Sequence, residues 1–544
     1  MTRDPASLFA RTVQPAYDFI VCGAGTAGCV VARRLCDDPA VRVLLIEAGG
    51  SDRVPEVLDA RRWMSNIGSE RDWGYRAEPS ASLAGRRPRL PMGKVLGGGS
   101  SINGSIWARG HRSDYEHWAA AAGDAAWGYD AVLAIYRGIE DWRGPADAQR
   151  RGQGGLLPVQ LPHDPVPLVG ALIEATAALG IPAVSDINGA AMEGDGGCGL
   201  PNLLVQEGHQ RVSMAARYIH PALGRPNLDV LLGAEVTRLL FADATGGSGQ
   251  GRAQPQVIGV EFVHQGQWQR VAATREVIVS QGAINTPKLL MLSGLGDAEP
   301  LRQHGIDVVA HLPGVGRNFQ DHILLAGCCW TYRTPEPPRN NAAEFVFYAK
   351  SDAALASPDL MPVLEETAFA SDEVAQRYAV PVGAATAWTL APGLAQPSSR
   401  GQVRLASADP FDAPRIDANF LSTEDDMQAM LRCVELCREI GNSSACAPFR
   451  ASEAFPGDLK GEALRDFIRL AAGTYFHQSG TARMGRDDGA VVDGQLRVHG
   501  VRGLRVADAS IMPRIATGNT MAPTVVIGER AAQMLRAAHG LVGG

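Results

Sequence analysis

No stretch of this 544-residue chain approaches the roughly 18 consecutive apolar residues that a membrane-spanning helix requires. The start, MTRDPASLFARTVQPAYDF, lacks the apolar centre of a secretory signal. A strong charge of either sign is also missing. The 51 Lys and Arg stand against 58 Asp and Glu, for a net charge of −7, which speaks against nucleic acid as a partner. There is no disulfide framework: nine scattered cysteines, an odd number, fit a reducing compartment. Cys433 and Cys437 are four apart on an expected helix, but no matching His or Cys pair lies near, so they read as core thiols and no metal is expected. Internal repeats and low-complexity tracts are absent. These absences lead us to expect a soluble, cytoplasmic protein with no membrane span; they leave its oligomeric state open.

Glycine, by contrast, is plentiful. Its 62 positions are roughly 11% of the chain against a usual level of about 7%, without any repeat, which implies many tight turns and close backbone approaches. The most organised stretch is Tyr17–Gly50, YDFIVCGAGTAGCVVARRLCDDPAVRVLLIEAGG. An apolar strand, Tyr17–Cys22, leads into Gly23, Gly25 and Gly28, then a helix with Ala27, Val30, Val31 and Leu35 on one face. A second strand, Val41–Ile46, ends in Glu47, about 20 residues past the last glycine. The first glycine allows a tight turn, the second admits a pyrophosphate, and the third packs helix on strand. The helix N-terminus offers N–H groups to phosphates, and Glu47 is placed to accept from a ribose hydroxyl. This unit says dinucleotide, without deciding between NAD and FAD.

Downstream, GKVLGGGSSINGSIWARG (93–110) is a glycine-rich loop set between apolar residues, suited to lie against a planar ligand. Trp118, Trp127, Tyr129 and Trp142 fall in a mostly helical stretch and read as packing residues. Helices are expected over Val166–Leu179, 283–292, Glu424–Ile440, Glu462–Leu470 and Thr524–Ala537. Strands are expected over Val230–Phe241, Val257–Val263, Glu276–Ser280, Pro381–Leu390, Gly401–Leu405 and Leu504–Val506, with a strand and tight turn over Asp307–Gly316. ADATGGSGQGRAQP (242–255) reads as a flexible turn, and TPEPPRNN (334–341) as a surface lid or loop.

Several of these blocks match a known family in order. The chain resembles the glucose–methanol–choline (GMC) flavoprotein oxidoreductases from end to end. GKVLGGGSSINGSIWARGHRSDYE (93–116) and GAINTPKLLMLSGLG (282–296) fit that family's two signatures, and LPGVGRNFQDH (312–322) and HQSGT…DAS…GNTMAPT follow in family order. The resemblance implies an α/β fold with a Rossmann-like FAD-binding domain and an inserted substrate domain, α+β in character, built on an antiparallel sheet and helices. On this reading 14–125, 200–325 and 471–541 form the FAD-binding domain, and 126–199 and 326–470 the substrate domain. The expected FAD contacts are Gly23, Gly25, Thr26, Ala27, Gly28, Glu47, Ala48, Trp73, Leu96, Gly98, Ser100, Asn103, Gly104, Ser105, Ile106, Val236, Asp508, Ala509, Asn519, Thr520 and Met521. Some members hold FAD covalently through a His just before the Asn of the first signature. Here that position is Ile102, so the FAD is expected to be non-covalent.

The same resemblance implies alcohol oxidation, with His477 as general base, Asn519 orienting the substrate oxygen and a hydride passing to the flavin. An imidazole near its usual pKa of about 6.5 would suit that task. Tyr475 and Phe476 are expected to wall the substrate site, with Trp388 and His322 as further lining candidates. The partners implied are a small alcohol and an electron acceptor, dioxygen or a quinone or dye; oxidase and dehydrogenase remain open. The alternative is a flavin-containing lyase of the same fold, like the hydroxynitrile lyases. A light-driven decarboxylase is a further relative, ranked low because the special Cys and Arg positions it needs cannot be placed in this sequence. An NAD enzyme or a mere nucleotide-binding module would explain Tyr17–Gly50 alone.

Overall fold

The computed structural model describes residues 9–10, 12–242 and 254–542. Ala16–Cys22 lies near the middle of a seven-stranded sheet whose order is Leu228–Leu231, Val43–Ile46, Ala16–Cys22, Gln267–Val279, Val257–His264, Ala234–Phe241, with Leu504–Val506 also paired to Gln267–Val279. The first four of these strands pair in parallel, and Leu504–Val506 joins them in parallel. Such strands are covered on both faces, which is why Val43–Ile46 is a continuous apolar run, buried at every position.

Gln267–Val279 is the junction. Its first half pairs antiparallel with Val257–His264, and its second half lies between Ala16–Cys22 and Leu504–Val506. Its burial follows the same division, exposed at Gln267 and Trp268 and buried through Val277, Ile278 and Val279. The helices Thr26–Leu35 and Met521–His539 pack on one another beside this sheet. Arg34 and Tyr218 both reach Glu529 on the last helix, at 2.9 Å.

A second sheet, of six strands, runs Arg450–Phe455, Cys329–Tyr332, Ala387–Ala391, Val363–Glu365, Val346–Tyr348, Gly197–Gly199, all antiparallel. Helices Leu168–Ala178, Glu424–Gly441 and Gly461–Ala471 share its core. The fold is therefore mixed α/β, with an antiparallel sheet and helices in the second part. No described helix is long and apolar enough to cross a membrane.

All nine cysteines are free and buried, Cys433 and Cys437 inside Glu424–Gly441. Trp118, Trp127 and Trp142 are core residues as expected. Elsewhere the elements differ from expectation. The single strand foreseen over Val230–Phe241 is two strands, broken at Gly233, whose φ of +66° turns the chain. Asp307–Gly316 contributes only the short pair Ala310–His311, and Pro381–Leu390 becomes a strand only from Ala387 to Ala391. The turn foreseen at 242–255 lies mostly outside the described residues. The segment 334–341 is exposed at its start, but Asn340 and Asn341 are buried, and Asn341 donates to the Gly104 carbonyl at 2.7 Å.

Candidate functional site

One cleft brings together residues from both sheets. Gly23, Gly25, Thr26, Ala27, Glu47, Ala48 and Val236 line one end of it, and Tyr475, Phe476, His477 and Asn519 line the other. The first end is made by backbone. Gly23 closes the strand-to-helix turn at φ +99°, and a Cβ there would lie 2.5 Å from the Ser280 carbonyl oxygen. A Cβ on Gly28 would lie 1.9 Å from the Gly23 carbonyl oxygen, so only glycine lets this helix sit against its strand. The helix starts at Thr26 with no side-chain cap, which leaves its first N–H groups for phosphate oxygens. Glu47 accepts from the N–H groups of Ala24 and Gly49 at 2.9 Å each, and burial pushes its pKa up to about 7. Its remaining acceptor capacity suits a ribose hydroxyl.

The loop of the first signature sits on this turn: a Cβ on Gly98 would lie 2.7 Å from the Gly25 Cα. Gly98, Asn103, Gly104 and Ile106 line the cleft, with Trp73 beside them, and Gly99–Ile102 forms one helical turn. The side chains of Leu96, Ser100 and Ser105, expected among the cofactor contacts, do not line it. Leu96 is core; Ser100 donates to the Gly97 carbonyl and accepts from the Met214 N–H; Ser105 accepts from Arg211. These groups shape the loop from behind. Gly28 likewise acts by packing and is not in the lining.

Arg211 carried no sequence signal. It is buried, donates to the Val57 carbonyl and to Asn103 and Ser105, and burial pushes its pKa down to about 9. Asn103 in turn reaches the Met521 sulfur at 3.0 Å, tying the loop to the start of the last helix. Asp508, Ala509, Thr520 and Met521 also line the cleft. The Asp508 carboxylate is already engaged by the Gly282 and Ser510 N–H groups and by Thr286, so its side chain braces the turn after Val279.

The other end depends on side chains. Phe476 has φ +67°, a conformation that a bulky residue keeps only when its surroundings hold it. Asp321 supplies the hold, accepting from the Thr474 hydroxyl and from the His477 N–H at 2.9 Å. Thr474 Oγ1 then accepts from the Phe476 N–H at 2.7 Å and from Gln478 at 2.9 Å. Burial pushes the Asp321 pKa up to about 7, against the pull of these donors. The resulting turn stacks the Tyr475 and His477 rings, with centroids 4.9 Å apart and planes at 14°.

His477 Nε2 lies 3.2 Å from Asn519 Nδ2, and His477 Nδ1 lies 2.8 Å from His322 Nδ1. Burial, and secondarily His322, hold the His477 pKa well below the ordinary imidazole value; burial brings His322 to about 3. The expectation of an ordinary imidazole pKa is thereby corrected, because burial strips solvation from the charged form of the ring. His322 stands behind His477 and does not line the cleft. Trp388 does not line it either: it is fully buried and stacked on Trp330 at 4.4 Å in the core of the second sheet.

The cleft fits a dinucleotide, because its glycine turn, uncapped helix and acidic strand end converge where a side chain would block them. The family models for GMC oxidoreductases match residues 17–324 and 397–528. The chain is 37% identical to the mitochondrial choline dehydrogenase of Homo sapiens, over 96% of this chain and 90% of that one. It is 36% identical to the alcohol dehydrogenase (acceptor) of Pseudomonas putida, over 95% of each. Among solved structures, pyridoxine 4-oxidase from Mesorbium loti has a TM-score of 0.87 at 35% identity, covering 95% of this chain and 98% of that one. Formate oxidase from Aspergillus oryzae, described for its FAD modification, has a TM-score of 0.86 at 26% identity, covering 97% and 99%. With family models over most of its length and relatives aligned nearly end to end, the chain belongs to the GMC oxidoreductases and is an FAD-dependent oxidoreductase.

Proposed function

We propose that the protein oxidises a primary or secondary alcohol to the carbonyl compound, with His477 as the base and Asn519 holding the substrate oxygen. The carrying observation is the 3.2 Å approach of His477 Nε2 and Asn519 Nδ2 in the cleft, which lets one hydroxyl meet both groups. The relatives named above are dehydrogenases and oxidases, among them a choline dehydrogenase and an alcohol dehydrogenase. FAD, when bound, supplies the acceptor for the hydride that leaves the alcohol carbon.

The protein's own part is proton handling and orientation. His322 is neutral and carries one proton; the Ala395 and Ala516 carbonyls approach its ring. With that proton on Nε2, its Nδ1 accepts from His477 Nδ1–H. His477 Nε2 is then the bare nitrogen, open to the substrate hydroxyl proton. As His477 gains that proton, His322 Nδ1 remains hydrogen-bonded to the cation. Tyr475 and Phe476 wall the site, and the residues lining the Gly23 end hold the adenosine and phosphates. Ile102 lines the cleft with an aliphatic side chain that offers no atom for a flavin bond, so the FAD is held without a covalent link.

Anaerobic addition of alcohols tests this reading: it requires bleaching of the flavin with formation of the carbonyl compound. Carbonyl formation without bleaching would instead establish the lyase alternative. Air, quinone and dye added to the reduced protein then identify the acceptor.

A further inference from the structure

Gln402–Arg404 and Arg415–Asp417 pair antiparallel as a hairpin that joins the two parts of the molecule. Val403 and Ile416 are buried in the core of the second sheet, whereas Leu405 already belongs to the core of the first. The base is fixed: Arg404 and Arg415 both pair with Glu78, at 2.6 and 2.9 Å, and the Val403 N–H donates to the Gly316 carbonyl at 2.7 Å. The tip, 405–414, carries bonds of its own. Ser407 donates to Asp412 at 2.6 Å, and the Asp409 carboxylate accepts from the Phe411 N–H at 2.9 Å. Pro410 lines the cleft together with Glu235, Val236 and Lys288, and Asp409 and Asp412 bring negative charge near the Lys288 ammonium. Phe411 reaches further and meets Trp268 edge to face at 6.0 Å.

We propose that the hairpin tip 405–414 is a clasp over the adenosine end of the FAD, latched by Phe411 on Trp268, which opens when the cofactor enters or leaves; this rests on placing the adenosine at the Gly23 end. Strand register shows how the tip reaches its catch. Glu235 pairs with Val263 and Val263 with Trp268, so the three side chains stand in a row on one face of the sheet, spanning about 10 Å. The tip therefore runs from the cleft, at Pro410, to the far end of this row, at Phe411.

Phe411 is 53% exposed and Trp268 56%, so neither ring is there to fill a core. What they do is join an arm rooted in the second sheet to the edge of the first, across the mouth of the cleft. An aromatic pair of this kind shifts an equilibrium only about two- to tenfold, which suits a latch. It slows release of a cofactor held without a covalent link and still lets the newly made protein take one up.

The test measures FAD release from the loaded protein, with phosphodiesterase present to cut released FAD to FMN, whose fluorescence reports each departure. Phe411→Ala and Trp268→Ala should each release FAD about two- to tenfold faster than wild type. The double variant should be no faster than either, because both changes remove one contact. Phe411→Tyr, which keeps a ring, should stay near wild type. A lock supplies the converse. In the variant carrying both Trp268→Cys and Phe411→Cys, a short bismaleimide link should slow release, and FAD uptake by the apoprotein, at least about tenfold relative to the unlinked variant. The nine native cysteines are buried and do not compete for the reagent. Unchanged release in both alanine variants, additive effects in the double variant, or uptake unhindered by the link would each overturn the proposal. ADP, as a competitor of FAD for the apoprotein, tests what lies beneath the tip: it should compete at least about twofold more weakly in Phe411→Ala. Equal competition would count against the adenosine placement and leave the link to decide whether the tip gates the cofactor.

Discussion

At the Gly23 end the cleft exists because side chains are missing, whereas at the His477 end it exists because buried side chains hold a strained turn in place. In the first region a Cβ on Gly23, Gly28 or Gly98 would run into backbone 1.9–2.7 Å away. In the second, Asp321 and Thr474 keep Phe476 at φ +67° so that Tyr475 and His477 stand side by side. The contrast teaches that cofactor retention and catalysis are separable here: one fails when atoms are added, the other when they are removed.

The largest expected effect comes from adding atoms at the first end. Gly28→Ala must displace the Gly23 carbonyl, and because backbone cannot swing away the cost should exceed the usual ~1–3 kcal/mol of overpacking. Flavin absorbance per polypeptide should fall to under about a tenth of wild type. A fully yellow variant would break the comparison at that end. Next, His477→Ala should retain its flavin yet slow substrate-driven bleaching by at least about 10²-fold, the usual scale for a general base. Bleaching at the wild-type rate would remove His477 from the chemistry.

A smaller effect is expected behind the base. His322→Ala removes the acceptor for His477 Nδ1–H and should slow bleaching about tenfold, the ~1.4 kcal/mol of one hydrogen bond, with partial recovery in His322→Gln, whose amide oxygen can accept. The pH profile separates positioning from mere structure. The folded pKa of His477 is depressed, so the wild-type base stays neutral as pH falls below about 6.5, and its acid limb lies lower still. His322→Ala lets solvent toward the ring and should move that limb upward. An unmoved limb with an unchanged rate would make His322 a packing residue. The smallest expected effect concerns the join between the two ends: acid precipitation should leave essentially no flavin on the polypeptide, because Ile102 cannot form the link. Retained yellow colour would disprove this.

The two regions were unequally legible. Glycine spacing writes backbone geometry directly into the chain, so the Gly23 turn, its helix and the two strands that flank them could be read from Tyr17–Gly50 alone. The other end is assembled across distance. Asp321 and His322 stood in a noticed run, but their pairing with residues about 155 positions later is tertiary. Trp388 was misplaced because all five residues of Ala387–Ala391 are buried; with no polar alternation, nothing in the strand reveals which face looks at the cleft. Leu96, Ser100 and Ser105 belong to the signature, yet they serve it from the rear, and Arg211, which clasps Asn103 and Ser105, sits in an unremarkable stretch.

Asn103 reaching Met521, and Glu529 receiving Arg34 and Tyr218, carry a consequence for how the protein comes into being. The nucleotide turn is made among the first fifty residues, but the strand and helix that complete it, Leu504–Val506 and Met521–His539, emerge last. At roughly 5–20 residues per second, a nascent chain waits about half a minute or longer between the two. During that time the apolar face of Thr26–Leu35 lacks the last helix that packs on it in the finished fold. Productive capture of FAD is therefore an event of the finished chain, and the early segment depends on transient cover, from its own neighbours or from a chaperone, until the last helix arrives.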